Sequence, residues 1–417
     1  MKKSSVALVS CLCLATAALA QEEIELTPLE KLEQKTQTLE SAVQKLQKLK
    51  VSGYIQTQYQ YGEKDASMKV GSANENPEKA FSRIGIRRGR IKFVYEEGIV
   101  SATFQPDITE KGVSFKDAFL AVKDPWFGTS VLKAGVFDRP FGDEISFSSS
   151  RRESPERSTI FQTFFPEERD LGASLTLQAA KTSPWNILKL EAGLFAGNGI
   201  KQETDSRLDF IGHLSVNKAI GSDMKISGGV SYYNGGVYQG TRNIYTINDK
   251  VFVIDSTADN KGKYAKREYV GIDAQFSVVS VLGMTQLRGE YLFGEQPAVK
   301  GNSKSPNASA LPTADTYKRN FSGGYVVFVQ DVGPLPFSAV LKYDWYNPNT
   351  KVSKNEVATD GDVAVNTFGF GLLWRISPNL KLTAYYEINK NETTEKIAKF
   401  NEDRKDNLFT LRLQYKF

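Results

Sequence analysis

The chain has 417 residues, with 53 Lys plus Arg against 48 Asp plus Glu and a formal net charge of +5. A balance this close to neutral excludes a protein built to neutralise a nucleic-acid backbone. Beyond residue 20 no apolar run approaches the roughly 18 residues that a membrane helix needs, so an α-helical membrane protein is excluded as well.

The chain opens with Met1-Lys2-Lys3, an apolar stretch from Val6 to Leu19 and the small-x-small end Ala18-Leu19-Ala20. These are the three parts of a secretory signal peptide over residues 1–20. Leu8-Val9-Ser10-Cys11 also resembles a lipobox, but a cut there would leave about half of the apolar run behind it. Removing 1–20 takes away two lysines and both cysteines, Cys11 and Cys13, and leaves 51 basic against 48 acidic residues. The exported chain then has no thiol for a disulfide, a metal site or a nucleophile.

Over 26–50, Leu32, Leu39 and Leu46 recur every seven residues, with Leu29, Val43 and Leu49 between them and Glu and Lys interleaved. The spacing predicts a short coiled-coil helix, a lone amphipathic helix being the alternative.

From Val51 onward the period changes to two. At the end of the chain Phe409, Leu411, Leu413, Tyr415 and Phe417 point one way, while Thr410, Arg412, Gln414 and Lys416 point the other. A strand with one apolar and one polar face separates lipid from water. The pattern predicts sixteen strands, near 51–62, 82–97, 98–107, 113–123, 129–138, 168–180, 185–197, 207–218, 222–234, 266–280, 282–295, 318–331, 335–346, 362–376, 379–390 and 406–417. Short joints alternate with long ones near 63–81, 108–112, 139–167, 198–206, 235–265, 296–317, 347–361 and 391–405. Trp126, Trp185 and Trp374 lie beside short joints and Trp345 beside a long one, as interfacial tryptophans do. The expected fold is an all-β, sixteen-stranded antiparallel transmembrane β-barrel over 51–417, preceded by a short periplasmic coiled-coil helix.

Barrels of about sixteen strands leave an aqueous channel. The connection 139–167 carries Phe141, Phe147, Phe161, Phe164 and Phe165, more apolar surface than a solvated loop holds, so it is expected to fold into the lumen and narrow it. Packing on neighbouring loops or on another subunit is the alternative. Arg88, Arg90 and Lys92 share one face of the second strand, and with Arg139, Arg151, Arg152 and Arg157 of the long connection they are the candidate pore-lining anion contacts. Lys133, Arg288, Lys342 and Arg412 share the inner face by parity, as do Glu191, Glu290, Asp344 and Glu387. Between Asp138 and Asp170 acidic residues outnumber basic ones.

His213-Leu214-Ser215 has the His-x-Ser spacing of the outer-membrane phospholipase A family, which it resembles in that triplet alone. Parity sends both side chains to the lumen rather than to lipid, and catalysis is not expected. No metal-ligand spacing, phosphate-binding glycine loop or carboxylate pair stands out, so no cofactor or metal is expected.

Several stretches together resemble the family of phosphate-selective porins O and P. They are Arg87-Arg88-Gly89-Arg90-Ile91-Lys92-Phe93, Phe104-Gln105-Pro106-Asp107, Asp117-Ala118-Phe119-Leu120 and Asp124-Pro125-Trp126. They continue through Ala134 to Glu144, Glu156-Arg157, Arg169-Asp170-Leu171-Gly172 and the terminal Phe417. The resemblance implies a homotrimeric porin in the outer membrane of a Gram-negative bacterium, passing small hydrophilic, phosphate-type anions by passive diffusion. Family members that bind phosphate cluster Arg and Lys around the inward loop, whereas acids are in excess there in this chain. A structural or adhesive barrel with a closed lumen is the other class. Large apolar residues on the inner face would mark it, and that face reads mostly Lys, Glu, Gln, Ser and Thr.

Overall fold

The computed structural model describes residues 27–417, so the expected signal peptide lies outside the described residues. The chain divides at residues 49 and 50 into two units. In the first, helix α1 spans Pro28–Gln47, and its Leu29, Leu32, Leu39 and Val43 stand exposed. Their three-, four- and seven-residue spacings put them on one stripe of the helix.

The second unit is a single sheet of eighteen strands. In chain order these are β1 (Leu49–Gly62), β2 (Phe81–Glu97), β3 (Val100–Thr109), β4 (Gly112–Lys123), β5 (Val131–Asp138) and β6 (Arg169–Gln178). Next come β7 (Leu188–Phe195), β8 (Asp209–Ile220), β9 (Met224–Tyr238), β10 (Ile244–Asn248), β11 (Val251–Asp255) and β12 (Tyr264–Ser280). The last are β13 (Gly283–Ala298), β14 (Thr316–Asp331), β15 (Phe337–Asn347), β16 (Val365–Arg375), β17 (Leu380–Asn391) and β18 (Leu408–Lys416). β9 pairs directly with β12, so the short β10–β11 hairpin stands outside the ring and sixteen strands remain in it. β1 pairs antiparallel with β18, from Tyr54 opposite Lys416 to Gly62 opposite Leu408, which closes the ring and leaves none of its sixteen strands as an edge.

Burial in this wall is inverted relative to a protein that folds in water. In β18, Thr410, Arg412 and Gln414 are buried while Leu411, Leu413 and Tyr415 are exposed. β15 does the same, with Ser338, Lys342 and Asp344 buried and Leu341 and Tyr343 exposed. Only a lipid surround makes an apolar outer face favourable, which fixes the barrel as a transmembrane one. Stacked rings run along this outer face, including Tyr291 on Trp345, Tyr343 on Trp345 and Phe337 on Trp374.

Two connections differ from the sequence reading. The joint at 108–112, expected to be long, is a two-residue turn, because Ile108 and Thr109 continue the ladder to Val113 and Gly112. Residues 235–265, expected to be a long joint between strands, contain the β10–β11 hairpin. Asp249 and Lys250 both take positive φ there, at 45° and 67°, which matches the twist of a two-residue hairpin. β10 runs parallel to the start of β14, with Tyr245 stacked on Tyr317 at 4.3 Å.

Candidate functional site

Residues 139–168 join β5 to β6 and touch side chains on two arcs of the ring, one from β9 to β15 and one at β18 and β1. On one arc the contact is aromatic. A six-residue helix, α2 (Thr159–Phe164), presents Phe164 to Phe321 of β14 at 4.1 Å, to Tyr269 of β12 at 5.0 Å and to Tyr346 of β15 at 5.6 Å. Phe165 meets Tyr233 of β9 and Phe161 meets Tyr325 of β14. All of these rings are buried, so this arc of the inner face is apolar where the sequence suggested a polar one.

On the other arc the contact is polar. Gln56 of β1 donates to the Ser149 carbonyl at 3.0 Å, Gln414 of β18 to the Ser150 carbonyl at 2.9 Å and Arg412 to the Pro155 carbonyl at 2.7 Å. Near the start of the segment Gly142 takes φ +62°, and a Cβ there would collide with the Glu290 carboxylate. Its N–H donates to Ser231 Oγ at 2.9 Å.

Three of the segment's acids, Glu153, Glu156 and Glu168, pair with arginines. Glu156 accepts two hydrogen bonds from Arg87, at 2.8 Å each, and one each from Arg88 at 3.0 Å and Arg412 at 2.9 Å. Burial opposes its charge, but Arg87, Arg88 and Arg412 outweigh burial and hold its carboxyl well below the usual carboxylate range. Glu168 is likewise held low against burial by Arg157, Lys116 and Arg169.

Each residue singled out in the sequence now has a place. Arg88 also donates to Gln56 at 2.9 Å, and Arg90 pairs with Asp107 at 2.9 Å. Lys92 is half-buried on the same face. Arg139 is fully enclosed against Asp170 at 3.1 Å. Arg157 pairs with Glu168 and donates to the carbonyls of Glu144, Ile145 and Phe147. Arg151 is exposed and lies 5.1 Å from the Phe147 ring, whereas Arg152 is buried.

Two cavities flank the segment. Toward the long-loop end, one of about 380 Å³ is lined by Arg87, Arg88, Arg90 and Lys116 of the wall, Lys111 of the β3–β4 turn, Lys69 of the first long connection and Arg157. These seven cations face four acids, Asp107, Glu156, Glu167 and Glu168. Toward the short-turn end, one of about 490 Å³ has Lys133, Arg139 and Lys189 against Asp138, Asp143, Glu191 and Asp273. Of these two cavities, only the one at the long-loop end has more cations than acids.

Sequence reasoning missed Arg87 and Lys116. Arg87 and its neighbour Arg88 both reach Glu156, so alternation breaks between them. Lys116 is the extra residue of a bulge, since Asp117 faces Gln105 and Phe115 faces Pro106, and both Lys116 and Asp117 are buried. Pro106 was the available signal, because proline cannot donate to the ladder and marks bulges in strands. His213 Nε2 lies 2.9 Å from Asp273 Oδ2, while the Ser215 hydroxyl donates to the Lys189 carbonyl at 3.4 Å rather than to His213. Both line the short-turn cavity.

A closed antiparallel sheet with an apolar girdle and a charged interior defines the class: a transmembrane β-barrel of the Gram-negative outer membrane. Solved structures agree on the fold. The chain is similar to OprB of Pseudomonas putida, with TM-score 0.57, 8% identity and coverage of 90% of this chain and 96% of that one. It is similar to OmpF of Salmonella typhi, with TM-score 0.54, 11% identity and coverage of 88% and 97%. It is also similar to an anion-selective porin from Comamonas acidovorans, with TM-score 0.52, 11% identity and coverage of 88% and 99%. At such identities the likeness is one of fold. No family model and no curated protein matches the sequence.

Proposed function

We propose that the protein is a passive-diffusion porin whose lumen, narrowed by residues 139–168, favours small hydrophilic anions of the phosphate type. The observation that carries this reading is the excess of seven cations over four acids at the long-loop end of the lumen. Fixed cations on low-dielectric walls concentrate mobile anions by focusing the field. The acids that outnumber bases in the 138–170 stretch do not undo this, because only Glu156, Glu167 and Glu168 of them line this cavity and all three are already among the four acids. Two likenesses support it: the motif resemblance to phosphate-selective porins, and the fold shared with the anion-selective porin from Comamonas acidovorans.

The test is single-channel current in a planar bilayer under a salt gradient, repeated with Arg87, Arg88 and Arg90 changed to Gln. The wild type is expected to pass chloride over potassium, and the triple variant to lose most of that preference. A second reading, a structural barrel with a closed lumen, is favoured by the buried aromatic arc around Tyr233, Tyr269 and Phe321. A correctly folded barrel that carries no current would decide for it.

The assembly proposed is a homotrimer joined by α1 as a coiled coil, for which the heptad stripe is the support. Removing residues 21–48 is expected to leave a folded barrel with fewer trimers on native gels. An unchanged oligomer distribution would remove the helix from that role.

A further inference from the structure

The segment's polar side is rich in donors and short of acceptors. Arg152 is 6% exposed, and its Nε, Nη1 and Nη2 meet no acceptor among the described residues. On the wall, Arg88 Nε and Gln58 Nε2 are buried donors in the same condition. A buried, unmade donor forfeits its hydration without return, and a charged one forfeits most.

Three carboxylates near Arg152, those of Glu144, Glu153 and Glu156, are already engaged. Glu144 accepts from the backbone N–H and hydroxyl of Ser158 and from Lys342 Nζ at 3.2 Å. Glu156 is shared by three arginines, and Glu153 is bonded to Arg288. Lys381 adds a further cation, donating to the Arg152 carbonyl at 3.2 Å.

Beside Arg152 lies a cavity of about 10 Å³, where Arg152, Arg288 and Lys342 face two acids, Asp143 and Glu144, with Phe147 and Ser154. That is room for one guest the size of a water molecule and too little for a tetrahedral oxyanion. A water would supply an acceptor and leave the positive charge uncompensated. A monovalent anion of similar size supplies acceptor capacity to several N–H groups and neutralises the charge.

We propose that a single halide-sized anion, chloride under ordinary conditions, is a resident ligand of Arg152 in this cavity, fastening residues 144–157 to the barrel wall. The proposal goes beyond the diffusion reading and holds whichever solutes cross the lumen.

Crystals of the purified protein grown with bromide in place of chloride test it by anomalous scattering. The expected result is a bromide peak within hydrogen-bonding reach of the Arg152 guanidinium, lost in Arg152→Gln. Bromide at surface lysines with none at Arg152, or density there that stays a lone water, would overturn it. A second readout is the melting temperature in detergent, with chloride exchanged for gluconate at constant ionic strength. The wild type is expected to melt higher in chloride and Arg152→Gln to be indifferent, whereas a wild type equally stable in both salts would also overturn the proposal.

Discussion

One carboxylate, Glu156, accepts from Arg87, Arg88 and Arg412, so three cations of the wall share a single negative charge supplied by the loop. Glu156→Gln would leave those guanidinium groups without their charged acceptor. The expected cost is about 1–3 kcal/mol in guanidinium unfolding, with noisier open-channel current and a stronger anion preference. The pH dependence follows from the direction of the shift. A carboxyl whose folded value lies below its ordinary 4.5 contributes stability that is fully present above that value and lost as pH falls through the folded one. The difference in anion preference and channel noise between the wild type and Glu156→Gln should therefore stay flat from about pH 7 to about pH 5 and change only in stronger acid. A transition near pH 6 in that difference would contradict the lowered Glu156 carboxyl. At this scale parity found Arg88 and Arg90, because side chains alternate locally along a strand. It missed Arg87 and Lys116, because a bulge or break in alternation depends on the partner strand.

The loop is held by unlike means on its two sides. Phe164 packs on Tyr269, Phe321 and Tyr346, three rings from three strands, whereas Ser149, Ser150 and Pro155 give carbonyls to β1 and β18. Phe164→Ala would remove the central ring of the aromatic side at a cost of about 3–5 kcal/mol. If the loop narrows the lumen, that variant should show larger and more variable single-channel conductance, and an unchanged conductance would separate the loop from the constriction. Five phenylalanines in 139–167 announced that this segment must be buried. Their receiving surface was not legible, since Tyr233, Tyr269, Phe321 and Tyr346 sit in separate strands and each looks like an ordinary strand aromatic. The β10–β11 hairpin was hidden similarly: its strands are only five residues long, and the Asp249-Lys250 turn lacks the glycine that normally marks such a hairpin.

Over the whole molecule the inverted burial gives a direct test of membrane insertion. Leu341 is exposed near the middle of β15, while its neighbour Lys342 is buried on the inner face. Leu341→Arg should destabilise folding into lipid vesicles by about 2–4 kcal/mol, the cost of a cation on the lipid face near the midplane. A neutral result would contradict the assignment of the outer face. The sequence by itself determined the ring of sixteen strands, their direction of alternation and the apolar girdle, because a period of two is a local property of the pleated backbone and lipid selects one face all round. Only the tertiary structure decided how the interior divides into an aromatic arc and a charged one, and which acids neutralise which arginines. The physical reason is distance along the chain: Arg412 and Glu156 are 256 positions apart, and no local pattern can record a contact that exists only once the sheet has closed.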